Sequence, residues 1–269
     1  MRATFLGVRG STCAPGRDFV RYGGNTSCVA VTLTGRDRPT VLLDAGTGIR
    51  GATALLEGEP FRGTVLVSHL HWDHVQGLPF FAAGDRPGSA VRVVVPAQGG
   101  SSGRDLLAQL MAPPGFPIEP EGLLGDWSFD AVEDGAVVVD GLGVTAVDVE
   151  HKGGRTYGYV LEEYGRRLAY LPDHAPAAGV SAALLGALQG VDVLVHDAQF
   201  LEGERDRADA YGHATVADAV RLAERVGSGR LVLFHHGPHR SDDDLDAVAG
   251  LVPTGVEVLT AREGLGFVV

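Results

Sequence analysis

Short apolar runs rich in Val, Leu and Ala alternate with glycine-bearing turns along almost the whole chain. Runs of this kind between turn formers predict β-strands. They fall at Ala3–Leu6, Ser27–Leu33, Thr40–Asp44, Thr64–Ser68, Val91–Val95, Ala136–Val139, Gly143–Val149, Thr156–Leu161, Arg167–Tyr170, Val191–Val195, Leu231–Phe234 and Val256–Leu259. Helical spacing of apolar positions predicts helices at Ile49–Leu56, Arg104–Met111, Ser181–Leu188, Val216–Val226 and Asp242–Leu251. Thr215 with Asp218, and Ser241 with Asp244, have the spacing of capping boxes at two of these starts. The first half is mostly strands with a few helices, and the second half repeats the arrangement. That predicts two sheets packed face to face with helices outside, rather than one doubly wound sheet.

The least regular stretch is Gln98–Trp127, with a glycine-serine run and Pro113-Pro114-Gly115-Phe116-Pro117. It reads either as a surface excursion or as a lid insertion over 98–127, whose Phe116 or Trp127 shapes a substrate pocket.

The chemistry concentrates in Ser68-His69-Leu70-His71-Trp72-Asp73-His74, directly after the apolar run Thr64–Val67. A strand that delivers H-x-H-x-D-H suits a site for two metal ions. His69 and His71 project together, while Asp73 and His74 turn toward a second ion. Zinc, manganese or ferrous iron accepts such imidazole and carboxylate donors. All ten histidines lie in short segments that follow a strand or open a helix, so one face of the fold is expected to collect them. His151 and Asp173 each follow a strand, and a carboxylate at 173 has two oxygens with which to bridge two ions. His235 ends Leu231–Phe234 and is favoured over His236 by strand phase. The expected ligand sets are His69, His71, His151 and Asp173 for one ion, and Asp73, His74, Asp173 and His235 for the other.

Two divalent ions, two aspartates and a bridging hydroxide leave a centre near one positive charge, which suits a phosphodiester attacked in line. The departing alkoxide needs a proton. His213, just before a helix, is free to give one, with Asp197 to orient it and raise its pKa. His213, Asp197 and Asp73 are thus the expected catalytic residues. Asp44, which closes Val41–Leu43, is placed to hydrogen-bond the metal loop from behind.

The bulk numbers narrow the partners. A net charge of −12 excludes a protein that holds a long nucleic acid by its backbone, but not one that takes a small anion at a cationic centre. Two cysteines, Cys13 and Cys28, lie far apart and are expected to be reduced. No segment is apolar enough for a membrane helix and the first residues lack a signal-peptide core, so a cytoplasmic protein is expected.

Phe5-Leu6-Gly7, Leu43-Asp44-Ala45-Gly46, the 69–74 motif, His151, Asp173, His196-Asp197-Ala198-Gln199-Phe200, Gly212-His213-Ala214-Thr215 and His235 resemble, in order, the metallo-β-lactamase fold superfamily. Within it they resemble the phosphodiesterase branch that holds ribonuclease Z and a cyclic-phosphate phosphodiesterase. The resemblance spans nearly the whole chain. It implies an αββα sandwich of two mixed sheets, a single domain over 1–269 and, by analogy with dimeric relatives, a homodimer. In that branch the segments like 196–200 and 212–215 supply an acidic residue and the histidine that protonates the leaving group. Two departures matter. Ribonuclease Z carries a long tRNA-gripping arm between its counterparts of His151 and Asp173, whereas only 21 residues separate them here, so tRNA is not the expected partner. The N-terminal Gly10–Gly16 and Tyr22–Ser27 stretch is similar to an uncharacterised bacterial subgroup. The expected function is a dinuclear hydrolase, with zinc or manganese, acting on a small cyclic or nucleotide-like phosphodiester. The alternatives are a thioester, lactone or other carboxylic-ester hydrolase, and a non-catalytic metal-binding module.

Overall fold

Each of the twelve apolar runs becomes a strand, and two further strands join them, in a computed structural model that describes residues 1–139 and 141–269. In chain order these are β1 (Arg2–Gly7), β2 (Cys28–Thr32), β3 (Val41–Leu43), β4 (Arg62–Leu66), β5 (Ala90–Pro96), β6 (Asp126–Val132), β7 (Gly135–Val139), β8 (Leu142–Val149), β9 (Thr156–Glu163), β10 (Arg166–Leu171), β11 (Val193–Asp197), β12 (Arg230–Phe234), β13 (Glu257–Thr260) and β14 (Gly266–Val268). They form two seven-stranded mixed sheets, ordered β14-β1-β2-β3-β4-β5-β6 and β13-β12-β11-β10-β9-β8-β7. The two-half pattern thus holds, except that β14 returns to the first sheet and pairs antiparallel with β1. The unread strands are β14, which has only three residues, and β6. In β6 the alternation of Trp127, Phe129 and Ala131 carries a period-2 signal, and these three pack against the outer core of the first sheet.

Four layers result. Between the sheets lies a core that includes Phe5, Val31, Tyr157, Tyr159, Tyr170 and Phe234. Outside the second sheet, Leu184 and Leu188 and the helix Val216–Val226 cover β10, β11 and β12. Outside the first sheet, Ile49, Phe61, Phe81 and Leu106 do the same work. Strands β11 and β12 are buried on both faces, as parallel central strands require. By contrast β8, near the edge, alternates buried and exposed. Both capping boxes form, at Thr215–Asp218 and Ser241–Asp244. The expected helix at 49–56 is instead a 3-10 turn, Thr47–Gly51, followed by one α-turn, Ala52–Leu55. The 3-10 turn runs close against β1: a Cβ on Gly48 would lie 2.6 Å from the amide of Gly7, so only glycine fits there.

Direction decides where the site forms. Strands β10, β11, β12 and β13 are mutually parallel, and β8 and β10 are both antiparallel to β9. The C-terminal ends of β8, β10, β11 and β12 therefore share one edge. Three tyrosine-related links tie that region to the first sheet. The Tyr159 hydroxyl donates to the Val67 carbonyl (2.8 Å), the Tyr157 amide to the Ser68 carbonyl (2.8 Å) and the Tyr170 hydroxyl to Asp44 Oδ2 (2.8 Å). The 98–127 stretch is the crossover from β5 to its parallel partner β6; it contains the helix Gly103–Ala108, and Asp126 and Trp127 already belong to β6. Among the described residues no helix is long and apolar enough to cross a membrane. Cys13 and Cys28 are free thiols.

Phe234 stands at the centre of the inter-sheet core, with ring centroids 5.9 Å from Phe5 and 5.5 Å from Tyr170. We expect Phe234→Ala to lower the unfolding free energy by about 3–5 kcal/mol, read from the urea midpoint at constant slope. A loss under about 1 kcal/mol would show that the two sheets do not depend on this contact.

Candidate metal centre

The chain leaves β4 through Val67 and Ser68 and presents His69 and His71 from extended backbone before a short helix, Trp72–Val75, turns Asp73 and His74 away. His151 follows β8, Asp173 follows β10 and His235 follows β12, all from the edge shared by those strands. Three overlapping groups form. The donor atoms of His69, His71, His151 and Asp173 lie within 4.8 Å of one another, and so do those of Asp73, His74 and His235, and those of Asp173, His213 and His235. Asp173 turns one oxygen to each of the first two. Its Oδ1 is 3.1 Å from both His74 Nε2 and His235 Nε2, and its Oδ2 is 3.4 Å from His151 Nε2 and 3.7 Å from His69 Nε2. Asp73 Oδ2 is 3.1 Å from His235 Nε2 and 3.3 Å from His74 Nε2.

These residues fit a metal. Ring nitrogens face one another at 3.3 Å in two pairs, His71 Nδ1 with His151 Nε2 and His74 Nε2 with His235 Nε2. That spacing equals the edge of a tetrahedron whose ligands lie about 2.0–2.1 Å from its centre, roughly 3.3–3.4 Å. His69 Nε2 and Asp173 Oδ1 are buried with no hydrogen-bond partner of good geometry, which a folded protein seldom tolerates without a ligand. Two of the opposite nitrogens are held from behind. His74 Nδ1 donates to Asp44 Oδ2 (2.7 Å), and His151 Nδ1 donates to the Gly212 carbonyl (2.6 Å). Burial, followed by the neighbouring imidazoles, holds His69 well below the usual imidazole range and also lowers His71 and His151, so their lone pairs are free. Burial pushes the Asp173 carboxyl up, but His235, His74, His69 and His151 outweigh it and hold the group well below the ordinary carboxylate range.

Asp44 supports the loop more fully than its position suggests. It sits in a left-handed conformation (φ 59°), and its two oxygens accept from the Ser68 amide (2.7 Å), the Ser68 hydroxyl (3.0 Å), His74 and Tyr170. His235 is also left-handed (φ 58°), which turns its ring into the cluster, whereas His236 donates its Nε2 proton to the Ala261 carbonyl (2.9 Å) and faces away.

His213 lies at the margin of the cluster, with Nδ1 2.9 Å from Asp197 Oδ2 and 3.7 Å from Asp173 Oδ2. Asp197 is itself anchored by the backbone amides of His174, Gln199 and Ala214. Burial would lower His213, but the charge and hydrogen bond of Asp197 outweigh it and raise the imidazole to about 9. Six of the ten histidines therefore gather here. His174 and His196 pair behind Asp197 (2.9 Å), and His236 and His239 face elsewhere, because each of the first three is the chain neighbour of a residue turned inward. Sequence reasoning missed Ser11. Its amide donates to Asp73 Oδ2 (2.7 Å), and its hydroxyl accepts from Gln199 Nε2 (3.1 Å). A glycine just before it was the available signal: a Cβ on Gly10 would lie 2.3 Å from His235 Nδ1.

Fold and site together define a metal-dependent hydrolase. The chain belongs to the beta-lactamase superfamily, whose domain profile matches residues 39–236. It is similar to ribonuclease Z of Natronomonas pharaonis, 27% identical over 87% of this chain and 86% of that protein, and to ribonuclease Z of Haloarcula marismortui, 26% identical over 98% and 96%. Among solved structures it shares its fold with YhfI of Bacillus subtilis, a metallo-β-lactamase fold protein (TM-score 0.72, 18% identity, 99% of this chain and 98% of that one). It also shares the fold with a diphosphatase of the PhnP family (TM-score 0.71, 21% identity, 100% and 97%).

Asp44→Asn keeps the left-handed backbone within reach but removes a charge from behind His74. We expect a 10- to 100-fold loss of metal affinity with unchanged circular dichroism, measured by competition with a chromophoric chelator. Unaltered affinity would show that Asp44 does not orient the metal loop.

Proposed function

We propose that the protein is a dinuclear metal-dependent phosphodiesterase acting on a small, cyclic or nucleotide-like phosphodiester. The observation that carries this reading is the Asp197–His213 pair set against the metal cluster. His69, His71, His151 and Asp173 would hold one cation, and Asp73, His74, His235 and the other oxygen of Asp173 the second. Two divalent cations, zinc or manganese, would supply Lewis-acid stabilisation of phosphate charge and a nucleophile from water near neutral pH. The part played by the chain itself is protonation. With Nδ1 committed to Asp197, Nε2 is the atom left for the substrate. As the P–O bond breaks, His213 Nε2 gives its proton to the departing alkoxide oxygen, the P–O electron pair stays with that oxygen, and the imidazole is left neutral. Asp197 holds the ring in place and favours its protonated form beforehand. Ser11 and Asp44 are positioning residues, acting through Asp73 and His74.

Small substrates are favoured over tRNA by two facts. The stretch from His151 to Asp173 is taken up by the β9–β10 hairpin, which leaves no length for an arm, and the net charge is −12. Two free thiols fit the reducing cytoplasm.

The test is turnover by the metal-loaded protein of bis(p-nitrophenyl) phosphate, 2′,3′-cyclic nucleotides, a lactone and a glutathione thioester. Cleavage of the phosphodiesters is expected. Turnover confined to the last two would make the protein a carboxylic-ester hydrolase, and none at all a binding module. We expect His213→Ala to slow alkoxide-leaving substrates about 10²- to 10⁴-fold and p-nitrophenolate substrates far less. Equal losses on both would remove the acid role.

Metal analysis after dialysis should give two equivalents for the native protein and at most one for Asp173→Ala. Two equivalents bound by that variant would rule out Asp173 as the bridge.

A further inference from the structure

Next to the metal motif lies a cavity of about 280 Å³ that the chemistry above does not use. Phe80, Leu110, Met111, Phe116 and Phe129 form its walls, and Trp72, between His71 and Asp73 in the chain, stands 72% exposed at its rim. Phe80 and Phe116 meet edge to face at 6.0 Å. No charged side chain lines it among the described residues. Its roof is the chain from 111 to 123, fastened to the helix Gly103–Ala108 by Arg104, which pairs with Glu119 and Glu121. A second cavity, about 310 Å³, is bordered by His69, His71, Gln98 and Arg155. Leu110 lines both, so the apolar chamber adjoins the chamber at the metal ligands across a single side chain.

We infer that the substrate is a phosphodiester bearing an apolar aryl or medium-length alkyl substituent, seated in this chamber while its phosphate lies at the cluster. The inference rests on the phosphodiesterase reading for its chemistry and adds the identity of the group beyond the phosphorus. An uncharged chamber cannot hold the next phosphate of a nucleic acid, because desolvating an unpaired anion costs far more than the contacts return. Aromatic walls favour a ring or chain instead. The volume lies near the lower end of small-molecule sites, roughly 300 Å³, and suits one ring or about six carbons. Trp72 and Phe80, 58% exposed, are large apolar surfaces left toward solvent beside the site, and such a substituent would cover them.

Calorimetric titration of the zinc-loaded protein with methyl-, butyl- and hexylphosphonate tests this. Affinity should rise about fourfold per added methylene. Phe116→Ala and Met111→Ala should flatten that rise and leave methylphosphonate binding unchanged. Equal affinities across the series for the native protein would overturn the inference, and so would undetectable binding of all three. Turnover of bis(p-nitrophenyl) phosphate judges the phosphodiesterase reading separately, since the phosphonates report binding alone. If Phe116→Ala turns a dimer into a monomer in sedimentation while the chain-length dependence persists, the chamber is an interface between copies and the inference fails.

Discussion

A buried carboxylate, Asp44, is the point on which the rest of the structure turns. It is fully shielded from water, which a charge tolerates only when protein donors replace the solvent. Those donors come from three places: the Ser68 amide and hydroxyl on the loop after β4, the His74 ring in the metal motif, and the Tyr170 hydroxyl from the opposite sheet. One side chain thus joins the strand end that carries it, the metal loop and the second layer of the sandwich. Its left-handed backbone adds a local strain of about 1–3 kcal/mol, sustained because every surrounding partner requires that orientation.

The same logic extends outward to the cluster. Six imidazoles and two carboxylates converge from five separate segments, and lone pairs packed at such distances repel unless a cation sits among them. Asp173 presents one oxygen to each group, so both share a single negative charge. The far ring nitrogens of His74, His151 and His213 are tied to carboxylate or backbone, so those three rings are preorganised. Asp197 plays for His213 the part that Asp44 plays for His74, with one difference: its imidazole stays at the margin, where a proton can be passed on rather than a metal held.

Binding and chemistry are built from different material. Metal donors follow the strands, which the two-sheet core fixes rigidly. The apolar chamber takes one wall from residues 72–80 and the other from the crossover between β5 and β6, whose length and composition can change without disturbing either sheet. This division explains how one scaffold can keep its reaction while altering what it accepts.

The strands, the capping boxes and the metal motif were legible in the chain because each rests on local patterning: period-2 or continuous apolar runs, a side chain three residues from a helix start, histidines two and three apart. So was the pairing of Asp197 with His213, through the likeness of their segments to a known branch. Position in space was not. Strand phase favoured His235 over His236 for the cluster, but the left-handed turn at the end of β12 that aims its ring is marked by no one-dimensional pattern. Ser11 reaches Asp73 across 62 positions of sequence, and Tyr170 reaches Asp44 across 126, so neither could be read from spacing. The Trp72–Phe116 chamber likewise exists only once the crossover folds back over the helix that begins at Trp72. Local propensity set the elements; the packing of two sheets, with strand ends brought to one edge, decided which residues met.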